Sequence, residues 1–368
     1  MESGMEKTRF IIVGSGWRSL YYVRIAKALP RQFELCAMLC RTEEKACRMA
    51  EENGIRTTVS EQECIDMKPD LVVVAVSKTS VADVAMHWMD MGFCVLSETP
   101  AALEYPKLVR LWEMHCSGKK LVVNEQYRRY PVYSSLIRIA QSGILGGNDS
   151  LNASLAHEYH GISLIRALLC LDQSEQFCVT AKTYEFPVTE TLTRYDSFSD
   201  GHTAMKKRTV AAFEFACGKV AFYDFDSEQY RSPIRRNTMR LLGCRGEIID
   251  NAVDWLDASN TARRAEMDIR TRTVDTEYDN PNLRSIEEVT SVHFNGDSLY
   301  TPPFGLCGLA QDETAMAVMM QQASLYGKGL AESPYPLQEA LQDAYTMLLM
   351  QKACETGEKV CTEKQPWN

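Results

Sequence analysis

A short run of branched and aromatic residues, Phe10-Ile11-Ile12-Val13, ends in Gly14-Ser15-Gly16 and gives way at once to a helical period over residues 20–29. A strand that turns through two glycines into a helix has few uses. The first glycine permits the tight turn, and the second lets the backbone approach a pyrophosphate at the helix N-terminus, where unsatisfied N–H groups favour an anion. Ser19 stands where a third glycine is usual and is small enough for close helix-to-strand packing. Gly14, Ser15, Gly16, Trp17 and Arg18 are therefore candidate cofactor-binding residues.

The pattern beyond the loop supports this reading. Apolar strand-like runs at residues 34–39, 71–76, 94–96 and 121–124 alternate with helical periods at 43–52, 81–91 and 105–116, as in a parallel sheet with crossover helices. Ligands of such sheets bind outside the carboxyl ends of the strands. After about residue 130 the pattern changes. One helix is expected at 161–169, then antiparallel strands at 177–184, 209–215, 219–225, 238–242 and 247–250, with a hairpin turn at Ala216-Cys217-Gly218-Lys219. Residues 260–303 are polar and weakly periodic and are expected to form long loops, and helices return at 312–326 and 337–353. The predicted fold is an α/β Rossmann domain over residues 1–125. An α+β domain with an open, mainly antiparallel sheet follows over 126–368, its C-terminal helices free to pack back on the first domain.

Composition narrows the partners. The 368 residues carry a formal net charge of −9, which gives no basic footprint for a nucleic acid. The polar N-terminus runs straight into the first strand, and no stretch of about 18 apolar residues occurs, so a cytoplasmic protein without signal peptide or membrane span is expected. The 13 cysteines show no zinc-site spacing, and many lie in apolar runs where a thiol acts as a small hydrophobe; neither a disulfide framework nor a metal is expected. An open sheet apolar on one face would be covered by a second copy, so a homo-oligomer, dimer or tetramer, is expected through the C-terminal sheet.

At the end of the second strand, Leu39-Cys40-Arg41-Thr42 has a cation where NAD-binding units hold the ribose hydroxyls with a carboxylate. Arg41 suits the 2'-phosphate of NADP through charge-assisted hydrogen bonds, or it is a solvated residue at a helix start; NADP is favoured over NAD.

The order of these features resembles the Gfo/Idh/MocA family, the relatives of glucose-fructose oxidoreductase and inositol dehydrogenase. The landmarks are the opening loop, Ser77-Lys78-Thr79-Ser80 after the strand at 71–76, Glu98-Thr99-Pro100, and Asn124-Glu125-Gln126-Tyr127-Arg128-Arg129-Tyr130-Pro131. The turn Ser142-Gly143-Ile144-Leu145-Gly146, the helix of His160 and the closing tail to Thr356-Gly357-Glu358-Lys359-Val360 complete them. The resemblance implies a nicotinamide cofactor held by the first domain, with Ser77, Lys78, Glu98 and Gln126 among its contacts. It also implies a sugar, cyclitol or related polyol as substrate. Lys78 has the alternative of a solvated loop residue.

Two departures bear on chemistry. The family's Glu-Lys-Pro has Thr99 at the middle position, a hydroxyl that donates a hydrogen bond but brings no positive charge. In Ala156-His157-Glu158-Tyr159-His160-Gly161-Ile162-Ser163, His160 matches the family histidine, the preceding aspartate is missing, and Ser163 takes the place of a later one. His160 is expected to move the substrate proton, with His157 and Glu158 as the available substitutes for the missing carboxylate, unless they merely cap or solvate the helix start. The expected activity is NAD(P)-dependent hydride transfer on such a polyol. The alternatives are transient oxidation in support of elimination or glycoside cleavage, and a cofactor-sensing protein without turnover.

Overall fold

The structure, a computed structural model, describes residues 7–193, 196–276 and 284–368. The chain divides into two compact units. One takes in the described part of Met1–Gln126 with Pro303–Ala344 and Trp367, the other Tyr127–Pro302, Tyr345–Pro366 and Asn368.

The first unit is the Rossmann unit. It begins with β1 (Thr8–Val13), α1 (Ser19–Ala28), β2 (Phe33–Leu39), α2 (Glu43–Asn53), β3 (Thr57–Thr58) and α3 (Glu61–Asp66). It continues with β4 (Leu71–Val74), α4 (Val81–Asp90), β5 (Val95–Ser97), α5 (Tyr105–Cys116) and β6 (Leu121–Val123). The strands form one parallel sheet in the order β3-β2-β1-β4-β5-β6. Phe10, Ile11, Ile12 and Leu71 to Val74 are all fully buried, as expected of strands covered on both faces. The chain reverses its direction of travel across the sheet between β1 and β4, and such a switch point opens a crevice at the carboxyl ends of the strands. The short β3 and α3 were not legible: two threonines and one helical turn carry too little periodicity.

The second unit opens with α6 (Pro131–Gln141), β7 (Ser150–Ser154) and α7 (Glu158–Leu168). Strands follow: β8 (Phe177–Thr189), β9 (Thr203–Phe215), β10 (Val220–Asp226), β11 (Thr238–Gly243), β12 (Gly246–Ile249), β13 (Ala252–Leu256) and β14 (Ala262–Glu266). Then come β15 (Asp268–Asp275), β16 (Ser285–Phe294), β17 (Asp297–Tyr300), α8 (Gln311–Gly327), which belongs to the first unit, α9 (Leu337–Thr356), whose residues to Ala344 are also counted with the first unit, and β18 (Val360–Cys361). One sheet of nine strands runs β14-β13-β12-β11-β7-β10-β9-β8-β18, antiparallel except for β7 with β10. The fold is thus an α/β Rossmann unit plus an α+β unit with an open, mainly antiparallel sheet.

Two expectations are corrected. Residues 260–303 are not long loops: β14 closes the large sheet, and β15, β16 and β17 form a separate antiparallel sheet of three strands, with residues 277–283 outside the described set. Alternation there is hidden because strands such as β14 (Ala262-Arg263-Arg264-Ala265-Glu266) expose most of their side chains and so carry few apolar residues. Cysteine reading also fails in one place, since Cys178 and Cys361 form a disulfide joining β8 to β18. Residues 183 apart in sequence give no spacing signal. The apolar face of the large sheet, with Leu151, Phe213, Ala221, Tyr223 and Leu241, is buried. The opposite face carries cross-strand ion pairs, Arg240 with Glu247 and Arg208 with Asp224, beside exposed Phe222 and Val210. The same sheet also exposes Tyr184, Phe186, Ile249 and Leu256.

Candidate functional site

In the first unit the loop after β1 behaves as its sequence requires. Gly14 has a φ of 113°, and a Cβ there would run into the carbonyl oxygen of Ala75, so only glycine fits. At Gly16 a Cβ would meet nothing within 4 Å, which leaves the backbone open to approach. The side chain of Ser19, fully buried, donates to the Gly14 carbonyl at 3.0 Å and pins the turn from inside, a role the missing third glycine could not fill. These features fit a dinucleotide pyrophosphate.

Around the loop lies a charged cluster. One carboxylate oxygen of Glu98, just after β5, receives Arg18 at 3.0 Å, Asn124 at 3.2 Å and the hydroxyl of Tyr22. Asn124, just after β6 and fully buried, also donates to the Tyr22 hydroxyl at 2.8 Å. Burial, and then the Glu98 charge, push the Tyr22 phenol well above its usual range, so its donor proton stays on. The Arg18 guanidinium lies 4.9 Å from the Tyr21 ring centre. Arg18 and Glu98 thus bond one another and tie the loop to the ends of β5 and β6. Tyr22 and Asn124 were missed as site residues; Tyr22 sits one helical turn beyond Arg18, a spacing that puts both on one face and could have found it.

The remaining candidates of this unit sit at the carboxyl ends of the strands. Arg41 follows β2 and is exposed, with Thr42 capping α2 by accepting from the Lys45 N–H at 3.2 Å. Ser77 and Lys78 are exposed in the turn after β4; the Ser77 hydroxyl bonds Thr79 at 3.0 Å and Ser80 at 3.1 Å. Trp17 is 40% exposed and edge-on to Tyr21, Thr99 precedes a cis Pro100, and Gln126 is buried.

The second unit brings imidazoles and phenols together. His160, only 4% exposed, stacks on Tyr127 with ring centres 4.3 Å apart and lies 5.1 Å from the His157 ring. Tyr127 stacks in turn on Tyr130 at 4.5 Å. The helix that carries His160 comes close to β10 because Gly161 has no side chain: a Cβ would lie 2.6 Å from both Tyr223 and the Ala156 carbonyl oxygen. The start of α7 is capped from outside. The N–H of Glu158 donates to the Tyr223 hydroxyl at 2.8 Å and that of His157 to the Tyr230 hydroxyl at 3.0 Å. Glu158 holds a φ of 30°, a conformation that costs a branched backbone energy and is found where surroundings enforce it. Its carboxylate bonds neither imidazole among the described residues. Ser163 accepts from Arg128 Nε at 2.7 Å. Burial, and then the Arg128 charge, lower the pKa of Arg129, while burial pushes Tyr133 up to about 12.

Residues 8–126 match the oxidoreductase family with an NAD-binding Rossmann fold, Gfo/Idh/MocA. Over those residues the chain is similar to that family, in line with the resemblance read from its motifs. No curated protein matches in sequence. Solved structures share the fold over nearly the whole chain. The GenD2 enzyme of gentamicin A biosynthesis, in complex with NAD, is 16% identical with a TM-score of 0.66, covering 98% of each chain. The WlbA dehydrogenase of Bordetella pertussis, in complex with NADH and UDP-GlcNAcA, is 15% identical with a TM-score of 0.65, over 98% of this chain and 99% of that one. The scyllo-inositol dehydrogenase of Lactobacillus casei is 13% identical with a TM-score of 0.63, over 97% and 98%. No described helix is long and apolar enough to cross a membrane.

Proposed function

We propose that this chain is an NAD(P)-dependent oxidoreductase acting on a sugar, cyclitol or related polyol. The observation that carries the reading is a dinucleotide loop, open at Gly16, in a chain that also holds a buried imidazole, His160, stacked on a tyrosine. The relatives in fold bind NAD or NADH or are inositol and nucleotide-sugar dehydrogenases, which supports the substrate class.

A bound nicotinamide supplies the hydride acceptor. Gly14, Ser15 and Gly16 would hold the pyrophosphate at the start of α1, and Arg41 would pair with a 2'-phosphate, which favours NADP over NAD. With the cofactor bound, His160 would take the proton of the substrate hydroxyl and return it in the reverse direction. The phenols of Tyr127 and Tyr133 have pKa values raised by burial, so they stay neutral and can hydrogen-bond sugar hydroxyls. At Thr99 a hydroxyl stands where the family's lysine would bring a charge. That substitution favours a second reading, in which oxidation is transient and serves an elimination or glycoside cleavage. A homo-oligomer through the exposed face of the large sheet, at Phe222 and Val210, belongs to the same proposal.

Titration with NADH and NADPH, followed by a polyol panel read by nicotinamide absorbance, tests the reading. Saturable binding with a preference for NADPH that Arg41→Ala erases is expected. Turnover on at least one polyol is expected too, falling at least about 100-fold in His160→Ala with cofactor affinity retained. Product without net absorbance change would favour the second reading, and absence of cofactor binding would overturn both.

A further inference from the structure

His202 has a carboxylate on each of its ring nitrogens. Nε2 lies 2.6 Å from an oxygen of Glu190, which follows β8, and Nδ1 lies 2.6 Å from an oxygen of Asp200, which precedes β9. The two strands pair from Phe177 opposite Phe215 to Thr189 opposite Thr203, and the Glu190 N–H donates to the His202 carbonyl just beyond, at 3.1 Å. The imidazole therefore closes the end of a long ladder. Residues 182–187 of β8 are all exposed, so this end has little packing to hold it and depends on its polar contacts.

Both carboxylates stand as acceptors. Glu190 receives the ammonium of Lys206 on its other oxygen, and Asp200, exposed to water, also accepts the His202 backbone N–H at 3.2 Å. A neutral imidazole has one N–H and one lone pair, so it serves one carboxylate and turns a lone pair toward the other. The imidazolium donates to both. In keeping with this geometry, the bonds to Asp200 and then to Glu190 raise the His202 pKa above its ordinary value. The same charges reach a second element. Lys206, on β9, bonds Glu190 and also Glu228 at 3.1 Å, and Glu228 is buried in the 3-10 turn Ser227–Tyr230 after β10. Just past that turn Ser232 accepts from the Thr191 hydroxyl at 3.4 Å. The Tyr230 hydroxyl at the end of the turn accepts the His157 N–H.

We infer that Glu190, Asp200 and His202 form a pH-sensitive clamp on the facing ends of β8 and β9, closed while His202 carries a proton on each ring nitrogen and released when it loses one. Lys206 links the clamp to the turn that presents Tyr230. Among the described residues, the groups facing His202 are Glu190 with Lys206 and Glu228 behind it, Asp200, and the Phe198 ring, edge-on at 4.9 Å. With His202 charged, two cations balance three carboxylates; with it neutral, Lys206 faces all three. The folded pKa lies above the unfolded one, so the clamp is complete below about pH 6.5 and opens as pH climbs through the folded value. The clamp does not depend on the oxidoreductase reading.

The test pairs an NMR titration of the histidines in the full chain, with the His202 signal assigned through His202→Gln, with amide hydrogen exchange read by mass spectrometry. His202 is expected to titrate above the free imidazole value of about 6.5 and to move down in both Asp200→Asn and Glu190→Gln. Glu214→Gln, which breaks the ion pair with Lys359 at the far end of β9, should leave it in place. Corrected for intrinsic exchange, protection over residues 186–191 and 202–206 should fall about fivefold on the alkaline side of that titration, the size of effect a part-exposed ion pair carries. His202→Gln should show the lower protection at every pH. The amides of Arg231 and Ser232, which donate to the Glu228 carbonyl at 3.1 and 2.8 Å, should follow the strand ends, and Lys206→Met should make them indifferent to pH. A His202 that titrates at or below the free value, or that ignores both carboxylate substitutions, would overturn the inference. Strand-end protection equal in wild type and His202→Gln at every pH would do the same, and a response confined to the strands would overturn the link to the turn. Failure to bind cofactor would overturn the proposed function and leave the clamp standing.

Discussion

The two polar clusters solve the same problem, holding reactive groups still, with opposite materials. In the Rossmann unit the loop is fastened by charge: Arg18 and Glu98 pair at 3.0 Å with both side chains 14% exposed, and Tyr22 and Asn124 converge on the same carboxylate oxygen. In the second unit His157, His160, Tyr127, Tyr223 and Tyr230 meet through ring stacking and phenol hydrogen bonds. Charge anchors well where nothing has to titrate. Imidazoles that must exchange protons near neutrality do better among neutral partners, because a fixed carboxylate would bias them toward the cation.

The sharpest way to break the contrast is Gly14→Ala. The Cβ meets the Ala75 carbonyl in a backbone already at a φ of 113°, so a loss of about 2 kcal/mol or more in urea unfolding is expected, together with loss of cofactor binding. Glu98→Gln should come next. It leaves Arg18 partly buried without its charge partner and should cost about 2 kcal/mol, whereas Glu158→Gln, whose carboxylate pairs with nothing described, should fall within about 0.5 kcal/mol. Equal losses from the two substitutions would erase the distinction drawn between the clusters.

Alkaline pH is a gentler probe, and it reaches both clusters, since burial raises the phenols of each. The folded pKa of Tyr22 is raised above its unfolded value, so its contribution is complete below about pH 10 and fades as pH climbs through the folded value. Spectrophotometric titration should find several late-ionising tyrosines, Tyr22 with Tyr127, Tyr133 and Tyr223, and one fewer of them in Tyr22→Phe. Least of all, Arg240→Ala on the exposed sheet face should change thermal stability by less than about 1 kcal/mol, since its pair with Glu247 is largely in water.

The first cluster was half legible. Gly14, Gly16, Arg18 and Glu98 follow strands whose burial on both faces makes continuous apolar runs, and the helix period puts Tyr22 beside Arg18. The second was legible only along α7. His157 and His160 share one helix start, but Tyr223 and Tyr230 reach them across the sheet from 65 and 73 residues away, and no local spacing encodes a cross-strand register. The same limit hid β15 to β17, whose side chains mostly face water, and hid α6, where an apolar face is interrupted by Ser134 and Ser135.

The bond between Cys178 and Cys361 makes the chain between them a covalent ring. A protease cut anywhere inside it opens the ring and releases nothing, so a nicked molecule keeps its mass on a non-reducing gel and falls into pieces only when thiol is added. Nearly half of the sequence, from β8 to β18, is thereby protected against loss by a single cut. Cuts before Cys178 have no such insurance, and the Rossmann strands and both histidines lie on that side.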